Sequence, residues 1–314
     1  MPYKSVRQPP AIFRNAFVFS HIASFLPLLS VIHCGQTCSL ASNLVKREYR
    51  VKLQSYLTYY FPTGDGIRIL ETCGGCLVGY SAYHFLGATS ETEVSQQPLH
   101  FFCPLALHND LINVVLSGDD GYQLTNDFEH HLHYVTLNSY ITRSTLLQVV
   151  GSQRSILILS GVNDNAVLMA LGSPSTAFMT IASPSQVWSA YPFWSTMGIS
   201  IRNPLYYHGP VPNNFKTLIQ QVRDLFRSLK LKDYVQMWRI LVEYPHKREC
   251  SLHPLCPQTL RFSTDVSCMN ILFGAAIDCP EPVMWRLGGG CYSKTKRMLP
   301  LAIPVPGLDR VFED

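Results

Sequence analysis

A short apolar run ends at Gly79, is followed at once by Tyr80 and Ser81, and then resumes as a second apolar run. Glycine and a small polar residue between two apolar runs predict a turn that joins a buried strand to a helix. Many enzymes that handle phosphate groups hold their substrate at such a turn, because a glycine lets the backbone approach a phosphate closely. The turn therefore predicts a sheet flanked by helices. It also makes a phosphate-binding site at Gly79 a hypothesis to test against the rest of the sequence.

The composition is that of a folded protein with a sizeable core. The 314 residues are 47% hydrophobic and only 15% charged. This composition argues against a disordered chain and against a long, solvent-exposed helix. A net charge of +4 is too small to indicate nucleic-acid binding. Because strand-like and helical segments both occur, we predict a mixed α+β fold, with a mixed sheet flanked by helices.

Residues 1–60 are predicted to form a small helical segment. Phe17, Ile22, Phe25 and Leu26 recur at roughly helical spacing, and further leucines and isoleucines follow after Pro27. Proline breaks a helix, so the spacing predicts two short helices that are interrupted near Pro27. The more polar residues 46–60 predict another helix.

The same N-terminal stretch also has the outline of a signal peptide or a short membrane anchor. Lys4, Arg7 and Arg14 precede an apolar run over residues 16–34. Histidines, serines and Pro27 interrupt that run, which favours buried helices and no membrane contact. A secreted or anchored protein stays open as an alternative.

The ten cysteines bear on the compartment. They are dispersed over the whole chain, which is typical of reduced and mostly buried thiols. We therefore expect free thiols and a cytoplasmic or nuclear protein.

Turn signals divide the remainder of the chain. The "FPTGDG" stretch at residues 61–66 predicts a boundary, so that a core over residues 61–244 follows the helical segment. This core ends in a predicted amphipathic helix over residues 214–242, and the Pro- and Cys-rich residues 245–314 are expected to pack on it as an extension. Strands are predicted at residues 99–104, 132–137, 155–160 and 176–182, and a helix that ends at Gly118 is predicted within residues 105–118.

Three motifs carry residue types that redox or metal sites use: Cys73 with Cys76; Glu129 with His131 and His133; and Cys250, His253 and Cys256 with Cys268. A redox pair needs its first cysteine near a helix N-terminus, whereas the first motif leads into a predicted strand. The histidines lie near a predicted turn, and the third motif has the spacing of no common zinc finger. We predict no metal, no cofactor and no catalytic residue.

The segments "VGYSAYHFLG" and "LHFFCP" together resemble a nucleotidyltransferase-like core. The looser pattern is similar to a group of fungal proteins that carry an F-box-like N-terminus before such a core. Later segments such as "SILILSG" and "PVMWRLGGGC" look like further parts of the same domain, so the resemblance covers about residues 60–310.

The resemblance implies a role for the N-terminal helices. An F-box-like segment would bind a protein partner through Phe17, Ile22, Phe25, Leu26 and Leu29, although the usual opening Leu-Pro-x-Glu is missing. It implies that the chain is a protein-interaction protein, in the role of a substrate adaptor of a ubiquitin ligase.

The chain departs from the family where the metal would bind. Pro98 and His100 stand where the resemblance leads us to expect aspartates, and the apolar strand within residues 154–160 has no carboxylate. Nucleotidyl transfer needs divalent metal held on carboxylate oxygens, so we predict a catalytically silent core. An active enzyme with relocated carboxylates at Asp119 and Asp120 is the alternative, although that pair also suits a surface turn.

Overall fold

The computed structural model describes residues 13, 15–24, 26, 28–35, 37–88, 98–129, 141–161, 164–173, 175–196, 199–201, 203, 232–234, 259–265, 267–273, 282–287, 289–291, 294–298 and 301–304. Its architecture is a large mixed β-sheet flanked by helices, which confirms the predicted α+β class.

Three helices open the described chain: α1 (Ala16–Ser24), α2 (Leu28–Gly35) and α3 (Ser39–Thr58). The interruption between α1 and α2 falls at the predicted break near residue 27. The Asn15 side chain caps α1 by accepting hydrogen bonds from the backbone N–H groups of Phe17 and Val18 at 3.0 and 3.2 Å.

Helix α3 joins the N-terminal helices to the sheet. Its buried residues recur every four positions and so form one stripe: Ala41, Val45, Tyr49, Leu53 and Leu57. The Tyr49 ring stacks on Phe273 with 4.2 Å between centroids, and its hydroxyl donates to the Ser183 carbonyl at 2.8 Å. Residues of α1–α3 and of the sheet share one hydrophobic cluster, so the described part of residues 1–60 has no separate core.

Eight strands form the large sheet: β1 (Cys76–Val78), β2 (Leu99–Phe102), β3 (Tyr122–Glu129), β4 (Ile141–Val149), β5 (Ser155–Gly161), β6 (Thr180–Ala182), β7 (Gln186–Ser189) and the later strand β11 (Met269–Leu272). Their spatial order is β11-β7-β6-β1-β2-β5-β4-β3. In this sheet β2 and β5 pair in parallel, and the other recorded pairs are antiparallel.

Smaller elements complete the fold. The helices are α4 (Gly66–Thr72), α5 (Gly79–Tyr83), α6 (His108–Ser117), α7 (Ala166–Leu171) and α8 (Pro192–Thr196). The strands are β8 (Ile199–Ile201), β9 (Lys232–Tyr234), β10 (Arg261–Phe262), β12 (Val283–Arg286), β13 (Gly289–Cys291), β14 (Lys294–Met298) and β15 (Leu301–Pro304). They pair as β10-β12-β15, β13-β14 and β8-β9.

The structure corrects some predicted elements. Within the predicted helix 214–242, residues 232–234 are strand β9, which pairs in parallel with β8, so the helix prediction is wrong there. The rest of that helix and the predicted strand at 132–137 lie outside the described residues. The strand predicted at 176–182 is confined to β6, because residues 176–178 form a 3-10 turn. The predicted strands at 99–104 and 155–160 are confirmed in β2 and β5.

A buried arginine joins the β10-β12-β15 sheet to the large sheet. Arg261 is 1% exposed, and its guanidinium lies 4.5 Å from the ring centroid of Trp285 and 4.7 Å from that of Tyr191. Its Nη2 donates to the Ala190 carbonyl at 3.1 Å and to Ser267 Oγ at 2.8 Å. Ala190 directly follows β7, so this one side chain connects the two sheets.

We expect Arg261→Lys to lower the free energy of unfolding by about 2–4 kcal/mol, because lysine cannot reproduce a planar fork between two rings. Urea denaturation measures the effect, with Arg47→Lys on the exposed side of α3 as the matched control. Equal stability of the two variants would show that the guanidinium does not hold the sheets together.

Candidate functional site

The turn at Gly79 has the predicted form. Strand β1 ends at Val78 and α5 begins at Gly79, whose φ of 60° lies in the left-handed region. A side chain here would be strained by the backbone. A Cβ built on Gly79 would lie 3.6 Å from Nδ1 of His100, so the glycine backbone faces this histidine closely.

Ser81 ties the turn to the neighbouring strand β2. The backbone N–H of His100 donates to Ser81 Oγ at 2.8 Å, and the hydroxyl donates to the Pro98 carbonyl at 3.5 Å. Ser81 is fully buried. The structure therefore brings together Gly79, Ser81, Pro98 and His100, and the serine hydroxyl serves the backbone.

No described carboxylate lies on the strand positions beside this turn. His100 lies opposite Leu157 in the parallel pairing of β2 with β5, so the next strand places leucine beside the histidine. In the described part of the chain, no group of three or more His, Cys, Asp or Glu residues could hold a metal ion. Magnesium takes oxygen ligands, and these positions offer proline, histidine and leucine in their place.

The electrostatics of the turn do not suit a phosphate either. Burial lowers the pKa of His100 to about 4, so its imidazole is neutral near pH 7 and supplies no positive charge. Tyr80 is buried, and its ring packs against Phe178 with 6.2 Å between centroids. The turn is thus a packed element of the core.

Asp119 and Asp120 lie elsewhere. Oδ1 of Asp120 accepts hydrogen bonds from the backbone N–H and the hydroxyl of Thr63 at 3.0 and 2.7 Å. The pair precedes β3, which is three strand spacings, or roughly 14 Å, from β2. Asp120 therefore ties its turn to the loop that carries Thr63, and the structure does not bring the pair to Gly79.

A second polar group, centred on His108 of α6, was missed by sequence reasoning. Fully buried His108 places Nδ1 2.6 Å from Ser160 Oγ and Nε2 2.8 Å from Thr145 Oγ1. The Thr145 hydroxyl donates to Oδ1 of Asp127 at 2.6 Å, so it must accept from His108 Nε2–H. Nδ1 therefore carries no hydrogen and accepts from the Ser160 hydroxyl.

An ion pair ends this chain of hydrogen bonds. Arg143 donates to Asp127 through Nε at 3.1 Å and through Nη2 at 2.5 Å. These bonds lower the pKa of Asp127 to about 2, while burial, together with the charge of Arg143, lowers that of His108 to about 4. Because Ser160 and His108 are completely buried, a substrate has no access to them, and the network orders the core.

The cysteines fit the expectation of reduced thiols. The six that the structure describes with their side chains are free, and Cys73, Cys76, Cys103 and Cys268 are buried. Burial raises the pKa values of Cys73 and Cys76, which disfavours the thiolate that a redox pair requires. His131, His133, Cys250, His253 and Cys256 lie outside the described residues, as does the side chain of Glu129.

Three of the predicted partner-binding residues lie on the surface. Phe17 is 81% exposed, Ile22 38% and Leu26 37%. Phe25 lies outside the described residues, and Leu29 lies in α2 with a side chain that is outside them too. Val18, 40% exposed, adjoins Phe17. We call Phe17, Val18, Ile22 and Leu26 the α1 surface.

The comparisons with known proteins give no relative. No family model matches the chain, and no curated protein or solved structure matches it. Of the helices that the structure describes, none has both the length and the apolar character that crossing a membrane requires.

The neutral state of buried His108 predicts a pH-dependent stability. Its folded pKa of about 4 lies below the ordinary value, so its contribution is complete above about pH 6.5 and is lost as the pH falls toward 4. The loss is about 3 kcal/mol for this one histidine, and His100 adds a similar dependence.

Urea denaturation between pH 7 and pH 4.5 measures how the free energy of unfolding depends on pH. The His108→Gln variant is expected to lack the part of this pH dependence that His108 contributes. His33→Gln, on the exposed side of α2, is the control. An unchanged slope in His108→Gln would mean that the pKa of His108 is the same in the folded and the unfolded protein.

Proposed function

We propose that this chain is a non-catalytic protein-interaction protein that binds a helical protein partner through the α1 surface. The resemblance to F-box-like proteins suggests the adaptor subunit of a ubiquitin ligase as that partner. The chain would then select substrates for the ligase in the cytoplasm or nucleus. The free thiols of the described cysteines are compatible with a reducing compartment.

The observation that carries the proposal is the division of α1 into two apolar faces. Phe19 and Ala23 are buried in the core, whereas Phe17, Val18 and Ile22 face outward. Val18 and Ile22 are four residues apart and so lie on one side of α1, Phe17 directly precedes Val18, and Leu26 follows the end of the helix. Adjoining exposed apolar side chains mark interaction sites, whereas scattered ones do not.

The exposed apolar side chains of α1 suit a helix-in-groove contact. Such contacts insert apolar side chains at helical spacing into a partner's groove. Complete burial of one large apolar side chain contributes about 1.5–3 kcal/mol, and Phe17 has the most surface to lose because it is 81% exposed. We therefore expect Phe17 to dominate the binding energy.

The Gly79 turn supports the non-catalytic part of the proposal. It offers a neutral imidazole, a packed tyrosine and a serine whose hydroxyl serves the backbone, so the residues described there supply neither carboxylates for a magnesium ion nor a positive charge.

Binding to a purified ligase adaptor tests the proposal. The double variant Phe17→Asp with Ile22→Asp should weaken binding by about a hundredfold or more, because it places two charges in an apolar contact. Both side chains are exposed, so circular dichroism should show an unchanged fold. Val150→Asp, at a position that is 71% exposed in the β4–β5 turn, is the control. Equal binding by both proteins would refute the α1 surface as the contact.

The absence of catalysis is tested with radiolabelled nucleoside triphosphates and several acceptors in magnesium or manganese. We expect no metal-dependent transfer, since the site lacks carboxylate ligands. Metal-dependent turnover that disappears in Asp119→Asn with Asp120→Asn would show that the carboxylates have moved and that the chain is an enzyme.

A further inference from the structure

Two of the six cysteines whose side chains the structure describes differ from the others in their accessibility. Cys34 and Cys38 are half-buried. The other four are buried in the core: Cys73, Cys76, Cys103 and Cys268. A thiol enclosed by apolar neighbours is inert, whereas a partly exposed thiol can react. Cys34 and Cys38 are therefore the described cysteines that are most open to a small oxidant.

The two cysteines lie at the corner between α2 and α3. Cys34 is in the last turn of α2, and Cys38 is the N-cap residue of α3. The Cys34 carbonyl accepts from the Thr37 backbone N–H at 3.2 Å and from the Thr37 hydroxyl at 2.7 Å, which closes a turn. The Cα atoms at the two ends of such a turn lie within about 7 Å of each other. Cys38 is the next residue, so the two cysteines are neighbours in space.

Both side chains pack against the same part of the core. They contact the hydrophobic cluster that α1–α3 share with the large sheet. Gly35, which lies between them in the chain, faces Val45 of α3, where a built Cβ would be 3.2 Å from the Val45 Cβ. The corner is thus held against α3 with both thiols next to one cluster. A disulfide requires Cα atoms about 4–7 Å apart, which a corner over residues 34–38 reaches by rotation about a few backbone bonds.

Cys38 has the environment of an attacking thiol. Its Sγ accepts a hydrogen bond from the Ala41 backbone N–H at 3.5 Å, at the start of a helix of 20 residues. The N–H groups at a helix N-terminus carry partial positive charge, which favours the thiolate that attacks an oxidant. Cys34 lies at the opposite, negative end of a helix, so we assign it the second step.

We propose that Cys34 and Cys38 are a reversible redox pair that hydrogen peroxide closes to a disulfide. The Cys38 thiolate attacks one peroxide oxygen, so that an S–O bond forms, the O–O bond breaks and the departing hydroxide takes up a proton. The Cys34 sulfur then attacks the sulfur of this sulfenic acid. An S–S bond forms, the S–O bond breaks, and water leaves with the proton of Cys34. The two thiols lose two electrons to the peroxide, and a dithiol reductant returns them.

Closing the bridge changes the start of α3. In the thiol state Cys38 Sγ is directed at the Ala41 N–H, so it has to turn toward Cys34 to form the bridge. Helix α3 then loses this side-chain cap, which loosens its first turn. Disulfides in a reducing compartment are transient, so the pair is compatible with thiols that are free in the resting protein. The redox pair lies outside the α1 surface and stands or falls independently of the proposed function.

Mass spectrometry of the full chain tests the pair. After exposure to hydrogen peroxide, the protein is denatured, alkylated without reduction and digested with trypsin. Residues 15–46 form one tryptic peptide, which contains Cys34 and Cys38 and no other cysteine. We expect this peptide to escape alkylation and to be about 2 Da lighter, because two thiol hydrogens are lost. Cys73, Cys76 and Cys103 serve as internal controls that are alkylated, and dithiothreitol should restore the thiols of residues 15–46.

Two matched variants separate the two roles. In Cys34→Ser the sulfenic acid of Cys38 lacks its partner thiol, so a dimedone adduct should accumulate at Cys38. Cys38→Ser keeps an acceptor for the Ala41 N–H and should slow the oxidation of Cys34 about tenfold or more.

Hydrogen exchange in the wild-type chain measures the effect of the bridge on α3. The Ala41 amide should exchange about threefold faster or more after oxidation, because its cap is lost. No bridge within residues 15–46, a bridge between two chains, or Ala41 exchange that oxidation leaves unchanged would overturn the proposal.

Discussion

The packing of α3 against the large sheet is the contact on which the rest of the structure depends. One stripe of α3 is buried against sheet residues, and α1 and α2 pack on α3 in turn. Lys52 of α3 donates to the carbonyls of Ala23 and Leu26 at 3.0 and 3.2 Å, which holds the end of α1 in place. Helix α1 is therefore an outer layer on a common core, and its exposed apolar side chains belong to a fixed surface.

The Gly79 turn keeps the backbone conformation of a strand–helix turn, but the residues beside it carry no charge for metal or phosphate binding. A strand–glycine–helix turn and the buried Ser81 hydroxyl hold β1 and β2 together. The chemistry of a phosphate-handling core depends on charge, and here the neighbouring positions are Pro98, His100 and Leu157. The Ser81 hydroxyl hydrogen-bonds the backbone of β2 and its preceding residue, so this side chain contributes to the stability of the turn.

Local patterns account for what the sequence predicts well. Gly79 marks a turn through its left-handed backbone, the proline in the sequence at position 27 predicts the break between α1 and α2, and the apolar runs of β2 and β5 identify central strands. The features that the sequence does not predict depend on contacts between residues far apart in the chain. His108 meets Thr145 and Ser160 across 37 and 52 residues, so no spacing reveals the network. Residues 232–234 follow a helical pattern, yet pairing with β8 determines their conformation.

The α1 surface was predicted only in part. Helical spacing marks the apolar residues of α1, but it does not say that Phe19 faces the core while Phe17 faces outward. That choice depends on where α3 and its neighbours lie. The hydrogen bonds from Thr63 to Asp120 likewise join two loops, residues 61–65 and 118–120, that meet only in the fold.

Site-specific photo-crosslinking in the native cell tests the central claim most directly. A photoreactive amino acid is placed at position 17 on the α1 surface or at position 150 in the β4–β5 turn, and the covalent products are identified by mass spectrometry. The account predicts a ligase adaptor crosslinked at position 17 and absent at position 150. No product at position 17 beyond that at position 150 would contradict it.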